Sequence, residues 1–113
     1  MKQPDLQALI WDALDASRSA REFVGDSTFA EFEASKEKIA ATERMLEIIG
    51  EALHRAESAD PTLATKISDF HSIVGFRNRL AHGYFDIDVG HVWQIARTKL
   101  ETLERELEAI RPS

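Results

Sequence analysis

A chain of 113 residues, 43% of them hydrophobic, can build one modest core and has no room for a second, so residues 1–113 read as a single domain. The absence of cysteine excludes a disulfide framework, a thiolate metal site and a thiolate nucleophile, and the low counts of glycine and proline argue against a β-rich or disordered chain. The formal net charge is −6, and its distribution matters more than its sum: residues 1–60 carry 13 acids against 7 bases, whereas residues 61–113 carry 7 of each. An acidic protein is a poor non-specific binder of nucleic acid, so any RNA chemistry must rest on a local basic site. With no uncharged apolar run of spanning length and no signal-peptide pattern, a soluble, cytoplasmic protein is expected, without a membrane partner.

Taken in order, Leu6, Leu9, Ile10, Ala13, Leu14, Ser17, Ala20 and Val24 recur at helical spacing, with Asp5 placed to cap the start and Gly25 to end the helix. Trp11 and Phe23 fall partly off that stripe and suggest a second buried surface. Asp26-Ser27 offers a new N-cap, and Phe29 and Phe32 predict a short helical turn that abuts the next helix. From Ile39 a clear stripe runs through Thr42, Met45, Leu46, Ile49, Ala52, Leu53 and Ala56 to a stop at Ser58-Ala59-Asp60-Pro61. Lys38, Glu43, Glu47, Glu51 and Arg55 read as its solvated face. Gly50, which costs about 1 kcal/mol relative to alanine in mid-helix, predicts the close approach of another helix.

After a loop reaching to Ile67, Ser68 or Asp69 can cap a third long helix carrying Phe70, Ile73, Val74, Phe76 and Leu80, with Gly83 closing it. A last helix, capped by Asp86 or Asp88, follows the stripe Val89, Val92, Trp93, Ala96, Leu100, Leu103, Leu107 and Ile110 and stops at Pro112. The predicted fold is all-α: an antiparallel bundle of four main helices with room for a short fifth.

The chemistry concentrates at Phe76-Arg77-Asn78-Arg79-Leu80-Ala81-His82-Gly83-Tyr84-Phe85. Here a forked, permanently charged guanidinium, an imidazole that titrates near neutral pH and a phenol fall within ten residues. Arg77 and Tyr84, seven apart, share a helical face; Arg77 and His82, five apart, would point about 140° from one another on a regular helix. Both can address one phosphate if the helix ends near Ala81 or if two copies of the motif meet across a dimer, and both conditions are expected. Cleavage of RNA asks for such a pair, a base to take the 2′-OH proton and a cation to stabilise the phosphorane. Neutral His82 suits the first role and Arg77 the second, with a 2′,3′-cyclic phosphate and a 5′-OH as products and no metal required. Arg79 is a candidate RNA contact, with Lys66, Arg97 and Lys99 as further helpers. On spacing alone such a pair is more often structural than catalytic, with His82 capping a carbonyl and Arg77 pairing with an acid such as Asp86. Phe85 and Trp93 read as packing aromatics, and His54, His71 and His91 have no partner at ligand spacing, so no metal or other cofactor is expected.

Three stretches, Arg44 to Ala52, Ile73 to Phe85 and Asp88 to Trp93, together resemble the HepT-like branch of the HEPN superfamily, over roughly residues 5–110. That resemblance implies a homodimeric ribonuclease toxin in which two motifs line one cleft, within a toxin-antitoxin module partnered by a minimal nucleotidyltransferase. Arg77 and His82 would be its catalytic pair and Asn78 a supporting polar residue. Tyr84 would be the tyrosine that the antitoxin adenylylates to silence the toxin. Glu47 and Glu51 lie inside a family-like stretch and could orient an arginine. The competing reading is a non-catalytic helical dimer that binds a nucleotidyltransferase or a nucleotide through the Arg77/Tyr84 surface.

Overall fold

A computed structural model describes residues 5–81 and 88–111; His82, Tyr84 and Phe85, with Gly83 as expected helix stop and Asp86 as alternative cap, lie outside the described residues. Among those described, every regular element is helical, in the order α1 (Leu6–Val24), α2 (Phe29–Glu33), α3 (Lys36–Ala59), α4 (Leu63–Lys66), α5 (Phe70–Ala81), α6 (Val89–Gln94) and α7 (Leu100–Ile110), with a π-helical turn, Ile95–Lys99, joining the last two. Four long helical bodies therefore make the bundle, as the periodicity predicts. The short fifth piece is present twice: as α2, and as α4 within the stretch read as loop.

Local chemistry sets most of the boundaries. Asp5 accepts from the Gln7 amide at 3.0 Å and opens α1, and Gly25, at a positive φ of 51°, ends it. The cap of α2 is Thr28 rather than Asp26 or Ser27. Its hydroxyl accepts from the Glu31 amide while the Glu31 carboxylate accepts from the Thr28 amide, a reciprocal box that only the Thr-x-x-Glu spacing provides. Ser35 caps α3, which therefore starts at Lys36, ahead of the stripe. Asp88 caps α6 through the Gly90 amide at 2.9 Å. Ser68 is turned instead toward α7: its amide and hydroxyl both donate to the Glu106 carboxylate, and Asp69 pairs with Lys99 at 3.7 Å.

α1 packs most extensively on α3, which in turn packs on α5, while α7 closes the other side of α1. Leu14, Ile49, Leu53, Phe70, Leu100 and Leu107 are fully buried where these helices meet. Each such side chain contributes on the order of 1.5–3 kcal/mol, which is what holds helices of marginal intrinsic stability together. Arg21 meets Glu104 at 2.6 Å and Arg18 meets Glu108, so rising numbers on α1 face falling numbers on α7 and the two run antiparallel. Phe32, wholly buried, anchors α2; Phe29 meets Trp93 edge-on at 5.6 Å between ring centroids, and Trp93 thus packs on the bundle, as expected. Trp11 departs from expectation, being 46% exposed and flanked by the guanidinium groups of Arg18 and Arg111.

The π-turn has a sequence cause. On an unbroken α-helix Lys99, seven residues after Val92, would fall on the same inward stripe. The wider turn, in which the Leu100 amide donates to the Ile95 carbonyl, carries Leu100 into the core and leaves Lys99 41% exposed against Asp69. Ile95, absent from the predicted stripe, is buried as well.

Gly50 is the closest approach of α3 and α5. A Cβ on residue 50 would lie 2.7 Å from Arg77 Cγ, nearer still to Arg77 Cβ, and 3.4 Å from the Ile73 carbonyl oxygen. Because the obstacle is the root of a side chain, no rotamer change relieves it. The overpacking cost of about 1–3 kcal/mol then outweighs the helix-propensity gain of about 1 kcal/mol. Gly50→Ala is expected to lower the midpoint of thermal unfolding by a few degrees, and Arg77→Ala in the same chain does not restore it, because the Cβ remains.

Candidate active site

α5 delivers Arg77 over Gly50 to the mouth of a cleft of about 180 Å³ between α1, α3 and α5. Leu9 and Asp12 of α1 form one wall. The floor is one face of α3, with Arg44, Glu47, Ile48, Glu51, Ala52 and Arg55 at successive helical spacings. Glycine at position 50 is what lets the Arg77 stem cross α3 without a ridge beneath it.

The Arg77 guanidinium is held at two of its ends. One terminal nitrogen meets Glu51 Oε2 at 2.6 Å, and the other donates to Asn78 Oδ1 at 2.9 Å. The side chains of Arg77 and Glu51 remain 29% and 44% exposed, so water and salt screen the pair, and an ion pair of this kind contributes no more than about 1 kcal/mol. Such a pair keeps the guanidinium in one orientation yet can be exchanged for a phosphate, to which arginine binds through the same planar fork. Among the described residues its hydrogen-bond and ion-pair partners are Asn78 and Glu51.

Several expected features are placed differently. Arg79 is exposed and does not line the cleft. Lys66 pairs with Asp60 and Lys99 with Asp69, while Arg97 donates to the Ser27 carbonyl and lies over the Trp93 ring, so the three expected helpers are engaged elsewhere. Besides Arg77, the basic residues among those described that line the cleft are Arg44 and Arg55. The row Glu43, Glu47, Glu51, read as a plain solvated face, is half-buried. Its spacing is legible in the sequence, but its burial depends on α1 and α5, which pack alongside. Burial, and secondarily the Glu47 carboxylate one turn away, hold the Glu43 carboxyl above the usual carboxylate range.

The family model described as ribonuclease HepT-like matches residues 13–110. The chain belongs to the ribonuclease HepT-like family. Two Methanocaldococcus jannaschii proteins assigned as RNases are similar to it: one is 33% identical over 110 residues, covering 97% of this chain and all of the relative, and the other is 30% identical, covering 97% and 94%. A Thermococcus cleftensis protein assigned as a HepT ribonuclease is 29% identical over 100 residues, covering 88% of this chain and 90% of the relative. No solved structure matches. No helix among the described residues is long and apolar enough to cross a membrane.

The raised Glu43 carboxyl has a stability consequence with a definite sign. Folding disfavours its charged form, so the penalty is present at neutral pH and disappears as pH falls through the carboxylate range. Glu43→Gln is expected to unfold at a higher temperature than the wild type at pH 7, with the difference vanishing on acidification; scanning calorimetry across pH checks both parts.

Proposed function

We propose that this protein is a metal-independent endoribonuclease toxin whose activity is switched off by an antitoxin that modifies it. The observation that carries the reading is the Arg77 guanidinium, held at the edge of an open cleft by a replaceable ion pair, in a chain of the ribonuclease HepT-like family. RNA supplies its own nucleophile. His82, which lies outside the described residues, takes the 2′-OH proton, and the oxygen attacks the adjacent phosphorus. Arg77 leaves Glu51 for the phosphate and stabilises the charge that develops on the phosphorane. The 5′-oxygen departs with a proton, leaving a 2′,3′-cyclic phosphate and a 5′-OH. Asn78 steadies the guanidinium through its amide oxygen.

In this reading two copies of the chain bring their motifs to one cleft, and tRNA or mRNA is the substrate. The partner is a minimal nucleotidyltransferase that transfers AMP to Tyr84, which also lies outside the described residues. The added bulk and negative charge would exclude the RNA backbone by occlusion and repulsion.

Purified, unmodified protein incubated in EDTA with total tRNA and with a single-stranded RNA is expected to cleave and to leave cyclic-phosphate ends. Loss of a general base or of the phosphate cation lowers such rates by about 10²–10⁴-fold. His82→Ala and Arg77→Ala should therefore fall by that order while remaining folded, and Tyr84→Phe should cleave but resist silencing by adenylyl transfer. Intact substrates with the unmodified wild type would sink the ribonuclease reading and leave the interaction-module alternative in its place.

A further inference from the structure

The floor of the cleft carries a feature beyond the catalytic motif. Arg44 and Arg55 are eleven residues apart on α3, which brings them back to within about 20° of the same face and separates them by about 16 Å along the axis. Arg77 enters from α5 between them, over Gly50 and Glu51. Three arginines of the cleft lining are thus spaced along the length of α3, two on it and Arg77 reaching it from α5, the central one being the group assigned to the scissile phosphate. At about 3.4 Å per nucleotide of a stacked strand, 16 Å covers about five nucleotides, and fewer in an extended one.

The carboxylates of the cleft decide how the line works. Arg44 meets Glu47 at 3.2 Å and Arg77 meets Glu51 at 2.6 Å, whereas Arg55, exposed, has no ion pair among the described residues. With Asp12 on the opposite wall the lining carries as many acids as bases. A cleft that is neutral overall exerts little long-range attraction on polyanions. It binds only a strand whose phosphates arrive where Glu47 and Glu51 now hold the arginines.

Resting on the ribonuclease reading, we infer that α3 is the track of a single-stranded RNA backbone, with Arg44 and Arg55 holding the phosphates on either side of the one at Arg77. The arrangement favours a single strand over a duplex, because the three arginines follow one helix axis as the phosphates of one backbone would. Arg44 and Arg55 are positioning residues that act on binding and not on the bond that breaks.

The test uses the full chain and a 2′-O-methyl oligonucleotide, which lacks the nucleophile and is not cut, titrated by fluorescence anisotropy at several salt concentrations. Each phosphate contact on a single strand contributes about 0.7 to the slope of log K against log salt. Arg44→Ala and Arg55→Ala are each expected to reduce the slope by about that amount and, on cleavable RNA, to raise KM with kcat unchanged. Arg44→Lys and Arg55→Lys should restore the slope, and Arg105→Ala, on α7 outside the cleft, should leave it untouched. These exposed positions tolerate substitution without unfolding. Unaltered slope and KM in both alanine variants would overturn the track even where the wild type cleaves. Equal, arginine-dependent binding of a duplex would overturn the single-strand assignment. Arginine-dependent binding of the uncut strand without cleavage of RNA would uphold the track and remove the nuclease.

Discussion

The crossing of α3 and α5 at Gly50 is the constraint on which the candidate site depends. Any side chain at that position would occupy the space taken by Arg77 Cβ and Cγ, so the helices can approach this closely only over a glycine. The approach has two effects at once. It lets α5 bury Phe70, Ile73 and Phe76 in the core, and it sets the Arg77 guanidinium within 2.6 Å of Glu51. Packing and chemistry therefore share one contact, and a residue that weakens the isolated helix by about 1 kcal/mol is retained where the tertiary structure requires it.

Charge is handled by the same economy of placement. The acidic first half of the chain would seem a poor setting for an RNA-cleaving site, yet α3 places Arg44 and Arg55 on the face that meets α5, interleaved with Glu47 and Glu51. Exposed ion pairs of this kind contribute little to stability. Their value here is orientation, because a guanidinium already held in its plane by a carboxylate loses less freedom when a phosphate replaces that carboxylate. On the RNA track proposed above, the low net attraction for polyanions would become selectivity, since binding would come from matched contacts.

The last helix shows how a core can overrule ideal geometry. Lys99 stands where an unbroken α-helix would bury it, and a buried, unpaired ammonium costs far more than a locally widened turn. The π-turn Ile95–Lys99 resolves the conflict by turning Leu100 inward and leaving Lys99 at the surface beside Asp69. Ser68 and Glu106 tie the same helix to the start of α5, so the element that carries Arg77 is braced at its N-terminal end by α7 and in its middle by α3.

Local patterns in the chain were enough to determine the helical class, the four long bodies, the caps at Asp5 and Gly25, and the close approach at Gly50, because periodicity, capping and glycine placement act over a few residues; they left the last cap open between Asp86 and Asp88. They also singled out Arg77, while the family resemblance added Asn78, which the structure brings into contact with it, and they displayed the spacing of Glu43, Glu47, Glu51 and Arg55. They assigned Glu43, Glu47, Glu51 and Arg55 to solvent because one helix alone does not say which neighbours lie beside it. Only the tertiary structure decided that α1 and α5 flank the row and make it the floor of a cleft, that Glu51 is the carboxylate that meets Arg77, and that Lys66, Arg97 and Lys99 are engaged elsewhere. The same holds for the π-turn: the sequence sets Lys99 and Leu100 in competition for the inward stripe, and packing of the last helix decides that Leu100 is the one buried. Burial and long-range pairing are properties of the packed assembly, and spacing along one chain constrains them only when each helix has a single possible neighbour.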